Sequence, residues 1–317
     1  MKKHYIIIIL LISIISVYFS LNRPVQIQET SNDKNKNTNT NITKKQEREQ
    51  PNTISYGLKN IDGKHIDNGD TIESKNNKVN VYLSLNHTID EKREYGLIIL
   101  ENYKQKPFTI ENNIQETSKY FFDMDPYSSK KIKISLNISA NANELTFLLI
   151  KKPNYKLRDN DINKASILEE ILSMRYSIKN KNKIEMIQEI QPENILKDGL
   201  NEPLFITKDK ENLQIIFSEI EEKEFIVSNG NETDEEMKYV ILAFKDWEQN
   251  EIIGNKDIIY TTVAPHTRQI FKFTLPKVEQ ESNFQLIALP FPNEVSKDNY
   301  VSQQAYGSFR MLIQNKS

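Results

Sequence analysis

Cysteine is absent from the 317 residues. That excludes disulfide staples, thiolate metal sites, a cysteine nucleophile and lipid attachment through a modified N-terminal cysteine. Glycine is scarce, at 8 residues, and neither a Gly-rich phosphate loop nor a Gly-X-Ser-X-Gly turn occurs. Both devices rely on glycine for left-handed or closely approached backbone. Histidine is limited to His4, His65, His87 and His266, with no pair at metal-ligand spacing. The acid pairs Asp123/Asp125 and Asp159/Asp161 lack the Asp-X-Asp-X-Asp-Gly order of a calcium loop. Neither charge sign dominates: 42 basic and 44 acidic residues leave a net charge of −2. That balance argues against nucleic acid or an anionic surface as an obligate partner. The expectation is a non-enzymatic chain with no catalytic residue, metal or cofactor.

One long apolar run is present, Tyr5 to Leu21, behind Met-Lys-Lys-His. At 17 residues it sits at the lower edge of the roughly 17–25 that span a bilayer as a helix. A cleaved signal would want a small residue three positions before the cut. Cuts after Ser20 or Ser16 place Tyr18 or Ile14 there. The sequence therefore predicts an uncleaved transmembrane signal-anchor over 1–22, with a secreted, cleaved form as the alternative. Lys2 and Lys3 are balanced by Arg23, Lys34 and Lys36, so charge gives weak orientation. The short stretch before the run favours placing everything after residue 22 outside the cytoplasm. Residues 23–53 are Asn, Thr, Lys, Gln and Glu with little to bury, and are expected to be a disordered polar linker reaching on the order of 30 Å. The excess of Lys, Asn and Ile fits an AT-rich bacterial genome.

The remaining stretch repeats itself. Glu94 to Phe108 aligns with Lys238 to Ile252 without a gap, each an apolar run followed by a polar turn carrying an aromatic and a Gln: Tyr103 and Gln105, then Trp247 and Gln249. Pro126 to Leu136 matches Pro265 to Leu275, and Asn143 to Asn154 matches Ser282 to Asn293, both closing on Pro-Asn. Ser173 to Asn180 matches Ser308 to Asn315. The offset drifts from 144 (Tyr95 to Tyr239) through 139 (Pro126 to Pro265) to 135 (Arg175 to Arg310). Ordered drift of this kind is the mark of a duplicated domain whose loops have changed length.

Within each copy the apolar period is two. Val79, Val81, Leu83 and Leu85 alternate, as do Ile132, Ile134 and Leu136, and in the second copy Phe271, Phe273 and Leu275. Such runs, separated by Pro, Asn, Asp and Ser clusters, predict short antiparallel strands. Tyr95–Leu100 and Tyr239–Phe244 are apolar on both faces, as a central strand is. The fold class expected is all-β: two tandem antiparallel β-sandwich domains, 54–182 and 203–317, joined by a connector at 183–202. The layout resembles immunoglobulin-like sandwiches in architecture, without their Cys–Trp–Cys hallmark.

Two constellations shared by both copies are candidates for partner or ligand binding. Tyr103 and Trp247 occupy equivalent turns, where a ring either stacks on a sugar or protein partner or covers its hairpin end. Arg175 and Arg310 face away from Met174, Tyr176, Phe309 and Met311, free to bind carboxylates or to pair across the sheet. The reading is a membrane-anchored extracytoplasmic protein that presents two sandwiches to a protein partner. A carbohydrate- or cell-wall-glycan-binding module is the alternative, and a hydrolase with an interdomain site the third reading.

Overall fold

A computed structural model of the chain describes residues 52–111, 115–179, 188–200, 202–254 and 256–316. The apolar run and the linker through residue 51 lie outside the described residues, and the expected anchor and tether with them. Among the described residues no helix is long and apolar enough to cross a membrane.

The architecture is all-β. The N-terminal half carries β1 (Ile54–Asn60), β2 (His65–Ile66), β3 (Thr71–Ile72), β4 (Lys78–His87), β5 (Arg93–Glu101), β6 (Lys104–Gln105), β7 (Thr109–Ile110), β8 (Lys119–Met124), β9 (Ser128–Asn137), β10 (Glu144–Lys151), helix α1 (Ile162–Glu169) and β11 (Ile171–Ile178). The C-terminal half carries β12 (Asn194–Leu196), β13 (Leu204–Thr207), β14 (Ser218–Ile220), β15 (Glu224–Asn231), β16 (Met237–Lys245), β17 (Glu248–Asn250), β18 (Ile258–Val263), β19 (Thr267–Thr274), β20 (Ser282–Pro290), β21 (Tyr306–Gly307) and β22 (Met311–Gln314). The first half forms one sheet in the order β2-β1-β4-β9-β7 and a second in the order β3-β11-β10-β5-β6, with β8 also on β5. The second half forms β12-β19-β15-β13 and β14-β22-β20-β16-β17, with β18 on β16 and β21 on β20.

Each half encloses its own core. Val79, Val81, Leu83 and Leu85 of β4 meet Tyr95, Leu97 and Ile99 of β5 and Phe147 of β10. Phe225, Phe271 and Phe273 meet Tyr239, Ile241, Phe284 and Leu286. The alternation in β4 follows from this packing, since its other side chains turn to solvent. The Tyr95 hydroxyl lies 2.9 Å from His87 Nδ1, which satisfies a polar group in a fully buried position.

Registers agree between the halves. Tyr95 pairs with Phe122 and Lys151, while Tyr239 pairs with Thr261 and Pro290. Left-handed backbone recurs at the same places: Asn102 and Tyr103 against Asp246 and Trp247, Tyr127 against His266, Lys152 against Phe291. One difference concerns the stretch expected to connect the halves. Its residues 194–196 form β12 on β19, and the Ile190 amide bonds the Tyr260 carbonyl, so this part belongs to the second half's sheets.

A third cluster lies between the halves. Ile98 and Leu100 of β5, Leu148 and Ile150 of β10, Val240, Leu242 and Phe244 of β16, and Ile287 and Leu289 of β20 bury one another. Strands β10 and β20 are buried along their whole length as a result. The halves therefore pack sheet against sheet, each through the face that a lone sandwich would leave in water.

Candidate functional site

All four residues singled out in the sequence converge on this interface. Tyr103 and Trp247 are 1% and 2% exposed, Arg175 and Arg310 0% and 2%. The turns that carry the rings are two-residue hairpins with both central residues left-handed: φ is 48° and 69° at Asn102 and Tyr103, 46° and 67° at Asp246 and Trp247. A bulky side chain in that region is strained and normally gives way to glycine. The rings stay because they are anchored in the interface.

The anchoring is reciprocal. The Gln105 amide N–H donates to Gln249 Oε1 at 2.6 Å, and the Gln249 N–H donates to Gln105 Oε1 at 2.6 Å. Gln105 Nε2 donates to the Trp247 carbonyl at 2.9 Å and Gln249 Nε2 to the Tyr103 carbonyl at 3.0 Å. Each side-chain amide thus completes the turn of the opposite half. Further along, Arg175 donates to the Pro290 carbonyl at 2.6 Å, and Arg310 to the Lys151 and Lys152 carbonyls at 3.0 and 2.8 Å. Trp247 Nε1 donates to the Pro153 carbonyl at 2.8 Å, and the Asn293 amide donates to the Tyr103 hydroxyl at 2.6 Å.

The two ends differ in how they hold a buried cation. Arg175 faces Glu144 at 2.8 Å, and Glu144 also accepts from the Tyr103 hydroxyl at 2.8 Å. Burial and then the Glu144 charge push the Tyr103 phenol well above its usual range. In the second half the position of Glu144 is taken by Asn283, which donates to the Pro153 carbonyl. Arg310 makes no ion pair among the described residues, and burial pushes it down to about 9, so it keeps its proton at neutral pH. Its guanidinium lies 4.6 Å from the Trp247 ring centroid and 3.3 Å from the Leu168 carbonyl near the end of α1. A ring face and the negative end of a helix replace the missing carboxylate.

Loops interlock on both sides. Phe217 and Phe309 of the second half pack against Ala165 and Leu168 of α1. A Cβ on Gly307 would lie 2.1 Å from the Glu169 carbonyl oxygen, so only glycine allows that approach. In the other direction Gly69 lies under Ser296 and Lys297, with 2.4 Å from its missing Cβ to the Lys297 nitrogen.

The other residues weighed from sequence are dispersed. His65 lies 3.4 Å from Asp67, and His266 2.8 Å from Asp234. Asp123 pairs with Lys92, and Asp159 and Asp161 with Lys164; His4 lies outside the described residues. No group of three or more His, Asp or Glu able to hold a metal occurs among the described residues.

An open groove runs along the second half. About 740 Å³ in volume, it is lined by Lys245, Gln249 to Gly254, Lys272, Phe273, Thr274, Pro276 and Lys277. Among the described residues, it borders a strand that is paired along only part of one edge. In the first half β7 pairs with Ile134 and Ser135 of β9; the corresponding Phe273 and Thr274 of β19 pair on the β15 side, and β12 reaches only Arg268 to Ile270. The sequence hides this gap, because Thr109–Ile110 and the aligned Ile253–Gly254 are both too short to show alternation. A second depression, about 660 Å³, adjoins it through Lys245 and Lys277 and includes Glu221, Glu222 and Asp246.

No family model matches the chain, and no curated protein matches it. Among solved structures, it is similar to SSP-19, an MSP-domain protein-like family member of Caenorhabditis elegans, at 16% identity and a TM-score of 0.23 over 34% of this chain and 92% of that one. It is also similar to the E. coli chaperone DraB, at 9% identity and 0.24 over 83% and 97%, and to the Pseudomonas aeruginosa CupB2 chaperone, at 8% and 0.23 over 70% and 91%.

Removing either glutamine of the clasp leaves buried backbone partners unpaired. Gln105→Ala and Gln249→Ala should each cost about 1–3 kcal/mol in urea unfolding. The double variant should lose clearly less than the sum, because both act on one network. Strict additivity would show that the two do not share it. A second expectation concerns pH. Burial, and after it the Glu202 charge, raises the Glu169 carboxyl from 4.5 to about 8. The folded state then holds a proton that the unfolded state releases above 4.5. This contribution is complete below pH 4.5 and is lost as pH rises toward 8. Glu169→Gln should therefore gain on the parent by a few kcal/mol between pH 5 and pH 8; an unchanged difference would mean that Glu169 is ionised throughout.

Proposed function

We propose that the chain is a membrane-anchored, extracytoplasmic, non-enzymatic protein whose two immunoglobulin-like β-sandwiches, copies of one another, are closed into a rigid body for binding a protein partner. The observation that carries the reading is the stretch of β19 that has no strand on its outer edge among the described residues, beside the groove at Ile252, Ile253 and Lys272 to Thr274. Strand edges with unpaired backbone groups, flanked by side-chain pockets, accept an extended segment of another protein as an added strand. The equivalent edge in the first half is occupied by β7. The clasped interface supports the same reading, because a fixed platform lowers the ordering cost of binding. The apolar run Tyr5–Leu21 supports the anchor.

The absence of native cysteine makes a direct test available. Full-length protein carrying Thr274→Cys, armed with a photoactivatable crosslinker, should capture a discrete protein from the membrane fraction of its own cells. Ser129→Cys on the opposite outer sheet should not. Equal capture from both positions, or none from Thr274→Cys, would remove the edge as the binding site. Release of the protein by alkaline carbonate would separately remove the anchor.

A further inference from the structure

The outer face of the β1-β4-β9 sheet is lined mostly by polar side chains. Inward residues of β4 and β9 fill the first core, so Lys78, Asn80, Tyr82, Ser84 and Asn86 point outward, as do Ser129, Lys131, Lys133, Ser135 and Asn137. From β1 come Ser55, Gly57 and Lys59. Register sets Lys59, Tyr82 and Lys133 in one row across the three strands, and Gly57, Ser84 and Lys131 in the next. Lys131 Nζ lies 3.8 Å from the Tyr82 ring centroid. His65 leans over Gly57, where a Cβ would meet its ring at 2.8 Å.

These outward positions of β1, β4 and β9 include four lysines and no carboxylate. Lys59, Lys78, Lys131 and Lys133 make no ion pair among the described residues, whereas Lys272, on the outer sheet of the second half, is held by Glu193 and Glu224. Acidic neighbours lie at the sheet margins: Glu111 beside Lys133, with no ion pair to it among the described residues, and Asp67, 3.4 Å from His65. Net charge near zero for the whole chain does not apply locally: this face is cationic.

We infer that this face binds a linear phosphate-bearing polymer. Neighbouring rows lie about 7 Å apart along the strands, and Lys59 and Lys133 about 10 Å apart across them. Each ammonium thus meets a separate phosphate of an extended chain, with Ser and Asn side chains between them as neutral donors. Lysine and serine are depleted in protein–protein interfaces, which weighs against a protein occupant. Lysines binding phosphates gain instead from counterion release. The site is separate from the β19 groove, and its test does not depend on the groove.

Full-length protein in neutral detergent, titrated with long-chain inorganic polyphosphate, provides the measurement. Binding should weaken with salt at a slope of roughly −3 in log K against log salt, as for four phosphates neutralised on a single strand. Changing Lys59, Lys78, Lys131 and Lys133 together to Gln should weaken binding at low salt at least about tenfold and flatten the slope. Trp247 fluorescence should remain native, which shows that the variant folds. Four lysines elsewhere, Lys179, Lys210, Lys223 and Lys256, changed to Gln should leave binding within about twofold. Equal loss in both variants, undiminished binding by the first, or capture of phosphatidylglycerol vesicles without any of polyphosphate would each overturn the assignment.

Discussion

The structure depends on the apolar contact between the two inner sheets and on the glutamine clasp at its edge. A β-sandwich needs one apolar face per sheet, but β5, β10, β16 and β20 have two. Ile98, Leu100, Leu148, Val240, Leu242, Phe244 and Ile287 would face water in a separated half. Burial of such side chains is favourable by about 1.5–3 kcal/mol each. It supplies the drive but little direction. Direction comes from Gln105 and Gln249, whose side chains substitute for backbone partners across the interface. The strained turns at Tyr103 and Trp247, the glycines at 69 and 307, and the docking of α1 all follow from holding that one arrangement.

The same interface has to hold two arginines out of water. A buried charge is costly unless it is paired and hydrogen-bonded. The first half uses a carboxylate, Glu144, and shares it with Tyr103. The second uses backbone carbonyls, an indole ring and a helix end around Arg310. Two equivalent positions thus reach one geometry through different chemistry.

Period-two alternation made β4, β9 and β19 legible, because each has one wet side. The repeat also set Tyr103 against Trp247 and Arg175 against Arg310; the two rings share a left-handed turn position, whereas Arg175 lies within β11 and Arg310 just before β22. The interface itself was written in Tyr95–Leu100 and Tyr239–Phe244, whose second apolar face reads equally well as a central strand. Sequence alone does not say whether that face meets a helix, a sheet or another half. Glu144 and Asn283 were hidden in aligned segments of unlike chemistry, and the clasp was hidden because a glutamine in a turn normally faces solvent. The three-residue β12 has no alternation to read, being formed by its neighbour β19. The open edge of β19 is legible only after β7 is seen to fill its counterpart.

Trp247 is the single tryptophan of the chain and lies in the interface. Its fluorescence therefore reports the contact between the halves, while far-ultraviolet circular dichroism reports the strands of both. Equilibrium urea unfolding followed by the two signals tests the central claim directly. One body held through that interface predicts coincident transitions with the same midpoint and slope. Exposure of Trp247 at lower urea, with the strand signal intact, would mean that the halves separate before they unfold and would contradict the account.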